Sequence, residues 1–161
     1  RIVLGTAALA ADAMVMVECN LDDMNPELYP HAAERLFAAG AVDVTLVPVQ
    51  MKKGRPGVLV QVLAPPAVRD AVAAVLFAET TTLGVRFHVV DRVVLPRRAA
   101  EVATPYGPIA VKIAVRPDGS ETIAPEYESC RAAAERHDVP LRAVYAAALH
   151  ANGGDAGRPQ R

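Results

Sequence analysis

Two adjacent carboxylates, Asp22 and Asp23, close an apolar run and precede an Asn-Pro pair in the stretch ECNLDDMNPELYPHAAERLF. Asn25 alone suffices to cap the helix that follows. The two acids therefore either shape the corner as Asx-turn residues or hold something. Together with Glu27 they are hard oxygen donors of the kind that bind magnesium, which takes one or two carboxylates, several waters and substrate phosphates. A second set lies in MKKGRPG. There Lys52, Lys53 and Arg55 can neutralise phosphate oxygens, while Gly54 and Gly57 let backbone N–H groups approach. Solvated hairpin turns are often rich in Lys and Gly for no other reason. The third set is ETTTLG, whose Thr80, Thr81 and Thr82 either supply hydroxyls to a ligand or simply end a helix.

Other chemistries find no foothold. The chain has neither a Walker A sequence nor GxGxxG, so a nucleotide would be held by a different route. His31, His88, His137 and His150 show no HxxxH or HExxH relation, and Cys19 and Cys130 stand far apart without ligand spacing. No dedicated soft-metal cage is expected, and His88, inside a strand run, reads as a partly buried structural histidine. Ser120 and Ser129 lack the GxSxG setting of a hydrolase nucleophile. A net charge of −1 argues against a general nucleic-acid binder, which needs a basic surface.

The elements that must position these residues follow from periodicity. Val15, Val17, Cys19 and Leu21 alternate with Met16, Glu18 and Asn20, which gives a strand. Asn25 and Pro26 open a helix with Tyr29, Ala32, Ala33, Leu36 and Phe37 on its buried face, ended by Gly40. VDVTLVPVQM and GVLVQVLA are strands joined by KKGRP. PPAVRDAVAAVLF is a helix with Val68, Ala71, Val72, Val75 and Leu76 inward, and LGVRFHVVDRVVL is a further strand. The order βαββαβ predicts an α+β fold built on a ferredoxin-like plait, with spatial strand order 4-1-3-2. In that topology the exits DDMN, KKGRPG and ETTTLG share one end. After residue 92 the pattern predicts a smaller α+β subdomain: a β-hairpin turning at 105–108, a turn at Asp118-Gly119, and helices near 126–137 and 140–150.

The expected organisation is a linker at 1–13, the plait at 14–92, the small subdomain at 93–150 and a flexible tail at 151–161. The start at Arg1 reads as a piece of something longer. Hydrophobic residues make up 52% of the 161 residues, enough for a sizeable core, and no run reaches the length of a membrane span. A cytoplasmic protein that touches neither membrane nor nucleic-acid polymer is the expectation, with both cysteines reduced. Strands apolar on both faces (Leu59 and Leu63 against Val58, Val60 and Val62) leave one sheet face to be covered. That face needs a partner, which the second subdomain, another copy of the chain or another part of the same protein could supply.

ECNLDDMNPE, MKKGRPG, ETTTLGVR, TPYGPIAVKIA and APEYESCRAAAERHDVPLRAVY together resemble the C-terminal half of the nickel-insertion protein LarC family, over about residues 14 to 150. The resemblance implies a CTP-dependent, lyase-type nickel chelatase that inserts Ni2+ into a pyridinium bisthiocarboxylate mononucleotide, completing the nickel-pincer cofactor of lactate racemase. It implies that this region binds CTP with Mg2+ or Mn2+ and assembles with itself and with the family's N-terminal half. On that reading Asp22, Asp23 and Glu27 are the metal candidates, and Asp22 and Lys53 the catalytic ones. Lys52, Lys53, Arg55, Thr80, Thr81, Thr82, Arg86 and Lys112 are the nucleotide-contact candidates. The alternatives are a non-catalytic regulatory ligand-binding module and an oligomerisation module.

Overall fold

The computed structural model describes residues 3–4, 7–8 and 10–153. Val3–Leu4 (β1) and Ala7–Ala8 (β2) pair as a short antiparallel ladder. β3 (Ala10–Leu21) follows, then a 3-10 turn (Pro26–Leu28), α1 (Tyr29–Ala38), β4 (Asp43–Gln50) and a 3-10 turn (Lys52–Gly54). β5 (Pro56–Ala64), α2 (Arg69–Glu79) and β6 (Arg86–Val94) complete a βαββαβ series. The strands lie in the order β4-β5-β3-β6, the expected plait order. β3 and β4 both run antiparallel to β5, with Cys19 opposite Val60 and Val44 opposite Val62. β3 opens at Ala10, four residues before the legible alternation, because Ala10, Ala11 and Asp12 carry no apolar–polar contrast. Residues 1, 2, 5, 6 and 9 of the expected linker lie outside the described residues, as do 154–161 of the expected tail.

Burial follows the period of each element. Val17 and Cys19 are fully buried, as are Val62, Val72 and Leu76, and Leu36 nearly so; they form one core between the sheet and its two helices. Phe37 does not join them and stands half exposed. It follows buried Leu36 by one residue, and a step of about 100° on a helix carries it off the packed stripe. On α2 the inward residues are Val72, Ala73 and Leu76, while Ala71 faces out.

The chain divides into two compact units; one is Ala11–Arg92, and the other comprises the described residues of 1–10 and those from Val93 onward. In the second, β7 (Arg97–Thr104), β8 (Gly107–Val115) and β9 (Glu121–Pro125) form an antiparallel sheet in sequence order. α3 (Tyr127–His137) and α4 (Leu141–Gly153) pack on it through Cys130, Ala133, Val144 and Ala148. The expected hairpin is thus three-stranded. β9 escapes the hydropathy pattern because Ile123 is its one large apolar residue, and its pairing is set by the preceding turn, where Gly119 takes φ +83°. No helix among the described residues is long and apolar enough to cross a membrane.

One close approach holds the end of the plait together. A Cβ built on Gly57 would lie 2.7 Å from the Leu21 carbonyl oxygen and 2.6 Å from the Met51 sulfur. The thioether can swing away, but the β3 backbone cannot. Gly57→Ala is therefore expected to cost about 1–3 kcal/mol by overpacking. Urea unfolding checks this, and an unchanged midpoint would show that the hairpin moves freely off β3.

Candidate functional site

β3 delivers Asp22 and Asp23 to the end of the sheet, and Asn25 stops the strand by capping the next turn, its side-chain oxygen accepting from the Glu27 amide at 3.1 Å. The β4–β5 connection then returns Arg55, whose Nη1 donates to Asp22 Oδ2 at 3.1 Å. The loop after α2 brings Thr81, whose hydroxyl donates to Asp23 Oδ1 at 2.5 Å. Strand exit, hairpin and threonine loop thus meet, each acid held by a different loop. Asp22 is not the unpaired acid its sequence neighbours suggest, since its counter-ion comes from 33 residues away. Arg55 is about half exposed, so the pair contributes at most about 1 kcal/mol and an incoming phosphate can replace it.

Other candidates are placed differently. Lys52 and Lys53 are exposed on the hairpin turn, and Glu27 is exposed in the first turn after Asn25. Thr80 donates its hydroxyl to the Leu76 carbonyl and Thr82 to the Gly84 carbonyl, so both brace the loop's own backbone. Lys112, in the other compact unit, is ion-paired with Glu126 at 2.7 Å. Among the described residues no group of three or more His, Cys, Asp or Glu side chains is gathered as a metal cage. Asp22 and Asp23 instead fit magnesium or manganese in its usual protein setting, where phosphates and waters complete the shell. Beside the acids opens a cleft of about 230 Å³, walled by Leu21, Met24, Pro26, Tyr29, Pro56 and Val58. Its walls were missed because Tyr29 and Val58 read simply as core positions at helical and strand spacing.

A second cluster escaped sequence reasoning. Glu18, on the β3 face opposite the helices, is only 7% exposed. Its carboxylate accepts from Gln61 Nε2 of β5 at 2.5 Å and meets Arg86 and His88 of β6 at 3.5 and 3.1 Å. Arg86 is thus tied to an acid of the sheet, and His88 is exposed rather than partly buried, its ring beside that same acid. The Gln61 hydrogen bond holds the Glu18 carboxyl below the usual value of 4.5; burial opposes this, and His88 and Arg86 reinforce it.

The turn itself is unusual. Lys53 has φ 62° and ψ 20°, a left-handed conformation that costs a side-chain-bearing residue about 1–2 kcal/mol. Gly54 follows with φ +69°.

Comparison with known proteins places the chain in a family. Residues 1–145 match the family model described as nickel insertion protein. A putative nickel insertion protein of Syntrophobacter fumaroxidans is 49% identical over 155 residues, covering 95% of this chain and 40% of the relative. The pyridinium-3,5-bisthiocarboxylic acid mononucleotide nickel insertion protein of Thermotoga petrophila is 42% identical over 131 residues, covering 81% and 33%. The chain thus spans well under half the length of these relatives. Among solved structures, LarC2, the C-terminal domain of a cyclometallase involved in the synthesis of the NPN cofactor of lactate racemase, matches in its apo form with a TM-score of 0.83. It is 41% identical, and the match covers 89% of this chain and 99% of that domain.

Two outcomes follow from the geometry. Lys53→Gly removes the left-handed penalty and should raise stability by about 1 kcal/mol in urea unfolding, with Lys53→Ala giving no gain; a destabilised glycine variant would mean that the Lys53 side chain holds the turn. Because the Glu18 carboxyl is depressed in the folded state, its contribution is complete above the unfolded value near 4.5 and is lost as pH falls through the folded value. Glu18→Gln should cost about 1–2 kcal/mol at neutral pH, and its deficit relative to the parent should shrink below pH 4.5. A deficit independent of pH would show that only packing was lost.

Proposed function

The chain belongs to the nickel insertion protein family, and from that premise we propose that it is the CTP- and metal-binding part of a nickel chelatase. The reaction it serves is insertion of Ni2+ into a pyridinium bisthiocarboxylate mononucleotide, as the name of the Thermotoga relative describes for that protein. In this reading CTP binds with Mg2+ or Mn2+ and is hydrolysed, and Ni2+ is the substrate metal. The observation that carries the proposal is the meeting of three loops, with Asp22 against Arg55 and Asp23 against Thr81. Hard oxygen donors beside movable cations suit a metal–polyphosphate better than a bare anion.

The roles follow from position. Asp22 and Asp23 would hold the divalent ion, with Glu27 within the same corner. Lys52, Lys53 and Arg55 would take the phosphates, Arg55 exchanging Asp22 for a phosphoryl oxygen. A divalent ion held there would supply charge neutralisation to the phosphates. Lys53, in its strained turn, and Asp22 are the residues proposed for the hydrolytic step, and Thr81 keeps Asp23 oriented. Arg86, Thr80 and Thr82 are secondary contacts in the proposal. The chain is further proposed to associate with another copy through the sheet face opposite the helices, where Leu59 and Leu63 are half buried.

Calorimetric titration with CTP, with and without Mg2+ or Mn2+, tests the reading. Binding should require the metal, and the folded double variant Asp22→Asn, Asp23→Asn should lose it while keeping the corner's shape. Metal-dependent affinity unchanged in that variant would leave the acids purely structural. Each cation replaced by Ala should weaken binding about tenfold or more, since a charge-assisted contact is worth roughly 1.5–3 kcal/mol. Saturable binding without CTP turnover would favour a regulatory module, and no binding an assembly module. Light scattering at tens of micromolar should give a mass above that of one chain; a monomer would overturn the assembly proposal.

A further inference from the structure

The outer strand β6 carries an apolar strip that nothing in the Ala11–Arg92 unit covers. Arg86 and His88 meet Glu18 on the open face of the sheet, while Val85 packs into the core under the helices. Alternation therefore puts Phe87 and Val89 on the helix side. The two helices do not reach far enough to bury them: Phe87 is exposed on one side, and Val89 is 77% exposed. α2 supplies the other wall. The Arg69 guanidinium stands 5.1 Å over the centre of the Phe87 ring, and Ala73 and Phe77 follow Arg69 at four-residue steps along the same flank. Phe77 is half exposed, and Leu83, in the loop that joins α2 to β6, is fully exposed. Single exposed apolar residues are ordinary, but Phe77, Leu83, Phe87 and Val89 border one groove.

We propose that this groove seats the region that precedes the present one in the family's longer members, as part of the same polypeptide. The inference rests on family membership and not on the nucleotide reading. Two observations select the occupant. The relatives are matched over only 40% and 33% of their length, and the solved match is a C-terminal domain, so more than half of those proteins lies ahead of the matched region. The tether is also short. Arg1 stands nine residues before Ala10, where β3 opens, and β3 is hydrogen-bonded to β6. Nine extended residues span roughly 30 Å at most. A region held that closely has a high effective concentration at β6, so a strip of modest area is enough to seat it. A second copy of the chain fits the edge poorly. Antiparallel pairing of β6 with itself sets Arg86 opposite Arg92 when centred on Val89, and His88 opposite Arg92 when centred on Val90. Centred on Asp91, it sets that acid opposite its own copy. Like charges opposed across strands are destabilising, which guards this edge against self-pairing.

Hydroxyl-radical footprinting reads the strip directly, with labelling corrected for the intrinsic reactivity of each side chain. In this chain alone, Phe77, Leu83 and Phe87 should be labelled as readily as Leu28 and Phe37, which are half exposed elsewhere. In the full-length Syntrophobacter fumaroxidans relative, the positions matching the strip should be labelled about tenfold less, since a millimolar effective concentration over a sub-millimolar contact leaves about a tenth of it open. The positions matching Leu28 and Phe37 should keep their labelling. Val89→Glu and Leu83→Glu should leave the urea midpoint of this chain unchanged, because neither side chain is in the core. The matching substitutions in the full-length relative should restore labelling at the positions of Phe77 and Phe87. Equal labelling of the strip in this chain and in the full-length relative overturns the proposal. So does a loss of labelling that extends equally to the Leu28 and Phe37 positions, which would be general burial. Protection that appears in this chain alone as its concentration is raised would assign the strip to a second copy and overturn it as well.

Discussion

β3 is bonded on both edges, to β5 and to β6, and its register carries the rest of the plait end. Val17 and Cys19 are fully buried against the helices. A slip of one residue would push Glu18 into that core and turn Val17 out, so the register is strongly fixed. Fixing it also fixes where the strand stops and therefore where Asp22 and Asp23 stand. Glu18 adds a polar counterpart on the opposite face. By accepting from Gln61 on β5 and meeting Arg86 and His88 on β6, it joins three strands at one point. That point lies just before the acids in sequence and just after the threonine loop.

The loops themselves supply little of the energy that gathers them. The Arg55–Asp22 pair is half solvated and the Thr81–Asp23 bond is exposed, so neither can hold a loop against the entropy of ordering it. Strand pairing does so instead, assisted by the backbone approach at Gly57. A corner framed by strands and lined by weak contacts would keep its frame if Arg55 exchanged its partner. Lys53 fits the same logic, since its left-handed backbone is maintained by the strands on either side of the turn.

Much of this frame was legible because it rests on period. The alternation of Val15 to Leu21, the Asn25-Pro26 cap and the βαββαβ order together imply that three exits share one end, and the contacts between those exits are present. What period does not carry was not legible. Nothing near Glu18 in sequence announces Gln61 or His88, because their proximity arises only once β3, β5 and β6 are side by side. β9 has too little hydropathy contrast to declare itself, and its place comes from the turn before it. Which acid Arg55 would choose, and that Thr80 and Thr82 would spend their hydroxyls on backbone carbonyls, are matters of loop geometry with no periodic trace.

The chemistry of the thiols bears on how the proposed labour is divided. Nickel–sulfur bonding needs a thiolate or an equivalent soft donor, and Cys19 and Cys130 are both fully buried. Burial pushes each thiol up from its ordinary value, so both stay protonated at neutral pH and make poor ligands. The residues gathered at the end of the plait are carboxylates, hydroxyls and cations, which suit a hard ion with phosphate. Under the proposed reading these two thiols are therefore not the sulfur that meets nickel. In that reading the contribution of this chain is to hold phosphate charge at the end of the plait.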